Sequence, residues 1–150
     1  MEREIKKSTV HFIGSLDKVC CNAITEIILT DEVIITDERI RHIVERRGQA
    51  FYNEYREYFS EIIASPDYIF QDEREHTILV CKSVHHKGAS VNLVVRLVVE
   101  GENPQFKNSV ITAVKENDKR FAQRLRNNAP IFSRIDNHKS HCYNKNMDSE

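Results

Sequence analysis

His76–Val84 reads HTILVCKSV and Ser90–Glu100 reads SVNLVVRLVVE. Both runs are rich in β-branched residues, and the gap between them, His85 to Ala89, contains Gly88. Two such runs joined by a short glycine-containing gap predict a β-hairpin. Phe106–Asn117 comes next, reading FKNSVITAVKEN, and predicts a further strand over Asn108–Lys115 after a loop from Gly101 to Lys107 that holds Pro104. Strands next to one another in sequence usually pair. The second half of the chain therefore predicts an antiparallel sheet.

The first half adds helices. Thr36–Gly48 reads TDERIRHIVERRG. Thr36 suits an N-cap, and Asp37 and Glu38 suit the positive end of a helix dipole. Ile40, Ile43 and Val44 make the apolar stripe, and Gly48 can end the helix in a left-handed turn. A second helix is expected from about Gln49 to Ala64, with Phe51, Tyr55, Tyr58 and Ile62 at helical spacing and Pro66 closing it. That aromatic stripe reads as core. Residues 8–14 and Val33–Ile35 read as strands, as does the short Tyr68–Gln71. Lys18–Leu29 is ambiguous, with β-branched residues favouring a strand near Ile24–Leu29. A helix over Lys119–Asn127 is capped by Asn117 or Asp118 and packs Phe121 and Leu125 inward. Ile131–Ile135 is a candidate edge strand. The polar residues from Asp136 onward are expected to form a disordered tail. The class is α+β: an antiparallel sheet with helices packed on one face, in a single domain over residues 1–135 with the tail at 136–150.

Composition narrows the function. The chain has 150 residues, 40% hydrophobic and 30% charged, enough for one core with a heavily charged surface. No apolar run approaches the roughly 20 residues that span a bilayer, and the N-terminus lacks the pattern of a secretory signal. A cytoplasmic location, or delivery into a target cell's cytoplasm, is the expectation. Cys20, Cys21, Cys81 and Cys142 show no CxxC spacing and read as free thiols. His85, His86, His138, His141 and Cys142 lack the frame of a metal site, so no metal and no cofactor are expected. Charge is uneven. Residues 1–104 carry 13 Lys/Arg against 18 Asp/Glu, a balance of −5, and residues 105–150 carry 9 against 5, a balance of +4. A basic C-terminal third is a candidate phosphate-facing surface.

Several side chains suit phosphodiester chemistry. On the helix, His42 lies opposite the apolar stripe and shares a face with Arg39 and Arg46. Lys82 and Arg96 sit inside apolar strands, where a charge is costly unless paired. Arg96 is either in a structural ion pair or aimed at an anion, which its guanidinium would grip bidentately. Ser109 and Thr112 are three apart, so they face opposite ways unless a bulge intervenes. No Gly-rich phosphate loop, HExxH, GxSxG or calcium-loop pattern occurs.

TDERIRHIVERRG, the aromatic helix ending in SPDYI, HTILVCKS, SVNLVVRLVV and FKNSVITA together resemble the phage and polymorphic-toxin branch of the Barnase–EndoU–colicin–RelE nuclease superfamily. The resemblance covers roughly residues 8–135. It implies helices against an antiparallel sheet and metal-independent cleavage of tRNA or other structured RNA to a 2′,3′-cyclic phosphate. It carries the helix histidine onto His42, the strand cations onto Lys82 and Arg96, and the hydroxyl motif onto Ser109 and Thr112, with Arg46 assisting. Many relatives carry a second histidine near the end of the first helix, where this chain has Arg46-Arg47-Gly48. On this reading Arg39, Lys115, Lys119, Arg120, Arg124 and Arg126 hold the RNA backbone. An acidic immunity protein is the expected partner of a toxin. The alternative is a non-catalytic RNA- or protein-binding module of the same fold, serving a phage or secretion system.

Overall fold

A computed structural model describes residues 9–84 and 88–134. Within them the order is β1 (Val10–Ser15), α1 (Lys18–Ala23), β2 (Glu32–Thr36), α2 (Asp37–Arg47), α3 (Gln49–Tyr55), a 3₁₀ turn (Arg56–Tyr58), α4 (Phe59–Ala64), β3 (Tyr68–Gln71), β4 (Thr77–Val84), β5 (Ala89–Arg96), β6 (Asn108–Asn117), α5 (Asp118–Asn127) and β7 (Phe132–Ser133). These strands form one sheet in the order β1-β2-β6-β5-β4-β3-β7. Every pairing among them is antiparallel except β2 with β6. The α+β class read from the sequence is the observed one, but the helices are not confined to one face: α5 packs Phe121 and Leu125 on the face opposite the one that α1–α4 cover. The expected disorder of 136–150, and His85, His86, His138, His141 and Cys142, lie outside the described residues.

Alternation along the strands sorts the two faces. Ile78, Val80, Val91, Leu93, Val95 and Val110 face the main core, against Cys20 of α1, Ile43 of α2, Tyr55 of α3 and Phe59, Ile62 and Ile63 of α4. Leu79, Cys81 and Val94 face the other way and meet Phe121 and Leu125 of α5. The aromatic helix is core, as its spacing implies, with Tyr55 and Phe59 buried. It is not continuous, because the 3₁₀ turn at Arg56–Tyr58 splits it.

Lys18–Ala23 is a helix, although its β-branched surroundings favour a strand. Two features outweigh them. Asp17 caps it, accepting from the Cys20 backbone N–H at 2.9 Å. Leu16, Cys20 and Ile24, four residues apart, are all buried. The expected strand over Ile24–Leu29 reduces to one bridge, Ile28 with Val99. Cys20 and Cys81 are buried free thiols and Cys21 is half-buried.

Two irregularities shape the sheet around β6. The first is the short contact of β2 with β6, confined to Val33↔Asn108 and Ile34↔Ser109. Beyond it the chain enters α2, through the Thr36 cap that accepts from the Arg39 N–H at 3.2 Å. α2 then lies against β6, and Arg47 Nε donates to the Ala113 carbonyl at 3.1 Å. The second irregularity is a bulge in β6. Val94 pairs with Thr112 and Val95 with Val110, so Ile111 is the extra residue.

Candidate active site

The bulge settles the relation of the two hydroxyls. Without it Ser109 and Thr112 would point to opposite faces. With Ile111 inserted, Ser109 sits opposite Arg96 and Thr112 opposite Val94, both on the α5 face of the sheet.

On that face lies a cleft of about 300 Å³. Its floor is Leu79, Val94, Ile111, Thr112 and Val114, one residue or more from each of three adjacent strands. One wall is α2, through His42, Arg46 and Arg47. The others are Arg124 of α5 and Asp72 and Arg74 from the β3–β4 connection. α2 can serve both sides of the sheet because it lies alongside β6 beyond that strand's two-residue pairing with β2. Ile43 is fully buried in the main core, while His42 and Arg46, one turn apart, are exposed on the cleft side. Four arginines against one aspartate make the lining strongly cationic. The Asp72 carboxylate is engaged locally, accepting from the Arg74 backbone N–H at 2.9 Å and from Nη1 at 3.1 Å.

Arg124 is the best-anchored of the four. Its Nε and Nη2 donate to Glu116 Oε1 and Oε2 at 3.0 and 2.7 Å. Glu116 also accepts from Asn92 Nδ2 at 2.9 Å, and Asn92 Oδ1 accepts from Ser90 Oγ at 2.6 Å. Ser90, Asn92 and Glu116 are all buried. Burial pushes the Glu116 carboxyl up, but the Arg124 and Asn92 bonds together outweigh it and hold it below its ordinary value. The same pairing, through its hydrogen bonds first, raises the Arg124 guanidinium above its ordinary value.

Of the residues singled out in the sequence, the cleft gathers His42, Arg46, Thr112 and Arg124. Arg96 and Lys82 are not brought to it. Arg96 donates to Glu102 through Nη1 at 3.1 Å and Nη2 at 2.7 Å, and also to the Leu97 carbonyl. Its ion-pair alternative is the one observed, and the hydrogen bonds from Arg96 draw Glu102 down to about 2. Lys82 pairs with Val91 on the main-core face and donates to the Ser65 carbonyl at 2.8 Å, with Asp67 at 3.7 Å. Ser109 shares the face but not the cleft. Lys115 points the other way, its ammonium 5.6 Å from the Tyr55 ring centre. Arg39 is half-buried outside the cleft, and Lys119, Arg120 and Arg126 are exposed on α5.

Sequence reasoning passes over Arg47, Asp72, Arg74 and the Ser90–Asn92–Glu116 chain. Arg74 lies in QDEREH, a connection without periodicity. Ser90 and Asn92 do leave a signal, since they share strand parity with Val94 and Arg96 and so mark a polar stretch on a half-buried face.

The fold and cleft define a small α+β protein whose sheet and α2 enclose an arginine-rich site with one imidazole. The chain belongs to the phage-Barnase-EndoU-ColicinE5/D-RelE like nuclease2 family, whose family model matches residues 11–133. Neither the curated proteins nor the solved structures compared with it include a match. Among the described residues no group of three or more His, Cys, Asp or Glu side chains is placed to hold a metal, and no helix is long and apolar enough to cross a membrane.

Proposed function

We propose that this nuclease-family protein is a metal-independent endoribonuclease of the toxin or phage-effector type, acting on tRNA or another structured RNA. The observation that carries the reading is that His42, Arg46 and Thr112 line one cationic cleft. In the reaction the RNA 2′-oxygen bonds to the adjacent phosphorus as the bond from phosphorus to the 5′-oxygen breaks. The products are a 2′,3′-cyclic phosphate and a free 5′-hydroxyl, the leaving 5′-oxygen taking its proton from solvent. His42 takes the 2′-hydroxyl proton, a general-base step that contributes about 10²–10⁴-fold. Arg46, Arg47, Arg74 and Arg124 face the phosphoryl oxygens, where charge accumulates, and the Thr112 hydroxyl orients one of them. An acidic immunity-type partner covering this rim would suit its charge.

One observation favours a second reading, a non-catalytic RNA- or protein-binding module. Among the described residues His42 is the one imidazole lining the cleft, and Asp72 is tied to Arg74. Among the described residues, a second imidazole or a free carboxylate for acid catalysis at the leaving oxygen does not line the cleft.

The test is a comparison of variants on total tRNA in excess chelator. His42→Ala and Thr112→Val are expected to lower the cleavage rate at least about 100-fold and 10-fold, respectively. Arg96→Ala and Lys82→Ala, outside the cleft, stay within severalfold of wild type when folded. Equal losses in all four would refute the assignment. Retention of tRNA without cleavage by the wild type would support the binding module.

A further inference from the structure

The cleft does not end at Arg124. A second chamber of about 440 Å³ opens on the far side of that side chain and shares Asp72, Leu79 and Arg124 with the first. The chemistry changes across the divide. The first chamber is lined by four arginines. Among the described residues the second adds no new cation, and its lining includes Gln71, Asn127, Asn128 and the acidic Glu73. Beneath it lie the buried Phe70 and Leu79, with the Arg124 guanidinium over the Phe70 ring, 5.9 Å from its centre.

A phosphate would be repelled by Glu73 and gain nothing over the first chamber. A nucleobase fits better, because amides present the paired donors and acceptors that match base edges. The amides are also oriented. Gln71 Nε2 donates to the Thr77 carbonyl at 3.1 Å, and Asn128 Nδ2 donates to the Arg124 carbonyl at 3.1 Å. No described hydrogen bond uses the oxygen of either amide. No described hydrogen bond uses the exposed Asn127 amide.

Arg124, at the junction, has donors to spare. A guanidinium has five N–H groups, and Glu116 takes two of them. The three left over can reach a phosphate, and the buried Ser90–Asn92–Glu116 chain holds the group in place while they do.

We propose that the second chamber is a nucleobase subsite, taking the base of the nucleotide next to the scissile linkage, with Arg124 gripping the phosphate between the two chambers. This rests on the ribonuclease reading and adds to it a built-in base preference at the neighbouring position.

The probes are dinucleoside monophosphates lacking the attacking 2′-hydroxyl, which cannot be cleaved, compared by calorimetry with the matching nucleoside 3′-phosphates. The favoured dinucleotide is expected to bind at least about tenfold more tightly than the mononucleotide, with an order of preference among the four bases at the second position. Asn127→Ala should cut that advantage about fivefold or more and flatten the order, and Gln71→Ala should act in the same direction. Three results would overturn the subsite. If the protein cleaves RNA but dinucleotides bind no better than mononucleotides, the subsite fails and the ribonuclease stands. The same holds if neither variant changes the ratio. If the protein neither binds nor cleaves RNA, the ribonuclease reading fails and takes the subsite with it.

Discussion

Replacing Glu116 with glutamine tests the internal support of the cleft with almost no change in shape. In the native protein this carboxylate accepts from Arg124 Nε at 3.0 Å, Arg124 Nη2 at 2.7 Å and Asn92 Nδ2 at 2.9 Å. Glutamine can keep its one oxygen toward Asn92 and Arg124 Nε, but its NH₂ then meets Arg124 Nη2, donor against donor. One bond is lost and another loses its charge assistance. A hydrogen bond to a charged group is worth about 1.5–3 kcal/mol against about 1 kcal/mol for a neutral one. The Arg124 side chain is 31% exposed, so water can take up the freed donor and the lower end applies. The expected loss is about 2 kcal/mol, or roughly 4–8 °C in Tm for a domain of this size. Urea unfolding followed by circular dichroism would measure it. Arg124→Met, alone and combined with Glu116→Gln, closes a double-mutant cycle with an expected coupling of about 1–2 kcal/mol. A coupling indistinguishable from zero would refute the claim that Glu116 fixes Arg124.

The same geometry bears on backbone strain, acid stability and salt dependence. Gly48 ends α2 at φ +100°, and a Cβ there meets nothing within 4 Å, so Gly48→Ala should cost about 1–2 kcal/mol through backbone conformation alone, a value that urea denaturation can check. Glu102 sits below its ordinary value of 4.5, at about 2, so the stability it brings is present above pH 4.5 and fades as pH falls toward 2. An acid titration of Tm should be shallower in that window for Glu102→Gln, and parallel curves would argue against the Arg96 pairing. Among the cleft arginines, Arg46→Ala and Arg74→Ala should each reduce the salt dependence of tRNA binding by about one unit of log–log slope, whereas Lys115→Ala, on the other face, should leave it unchanged.

The elements legible in the sequence are those whose local signals agree. The Thr36 cap, the Ile40–Ile43–Val44 stripe and Gly48 all point to one helix, and α2 is that helix. The 100° step then separates His42 from Ile43, enough to put the imidazole on the open side. The β4–β5 hairpin is equally plain from its two β-branched runs. Lys18–Ala23 is not, because strand-forming residues surround a short helix whose evidence is one capping aspartate and a four-residue burial rhythm.

The site is less legible than the fold for two physical reasons. An ion pair across a loop is not announced by its members. Arg96 looks like an orphaned cation in an apolar strand, and only the turn that returns Glu102 to it shows otherwise. A bulge leaves no mark when the extra residue is an isoleucine. Nothing in FKNSVITAV sets Ile111 apart, yet its insertion decides which hydroxyls share a face. Arg74 and Arg47 join the cleft through tertiary placement that periodicity does not encode.

The most direct test of metal-independent RNA cleavage at this cleft is the chemistry of the RNA ends. Purified protein is incubated with tRNA in excess chelator, and the fragments are analysed by mass spectrometry. The expected ends are 2′,3′-cyclic phosphates and 5′-hydroxyls, absent with His42→Ala. Ends bearing 5′-phosphates, or fragments unchanged by that substitution, would contradict the ribonuclease mechanism.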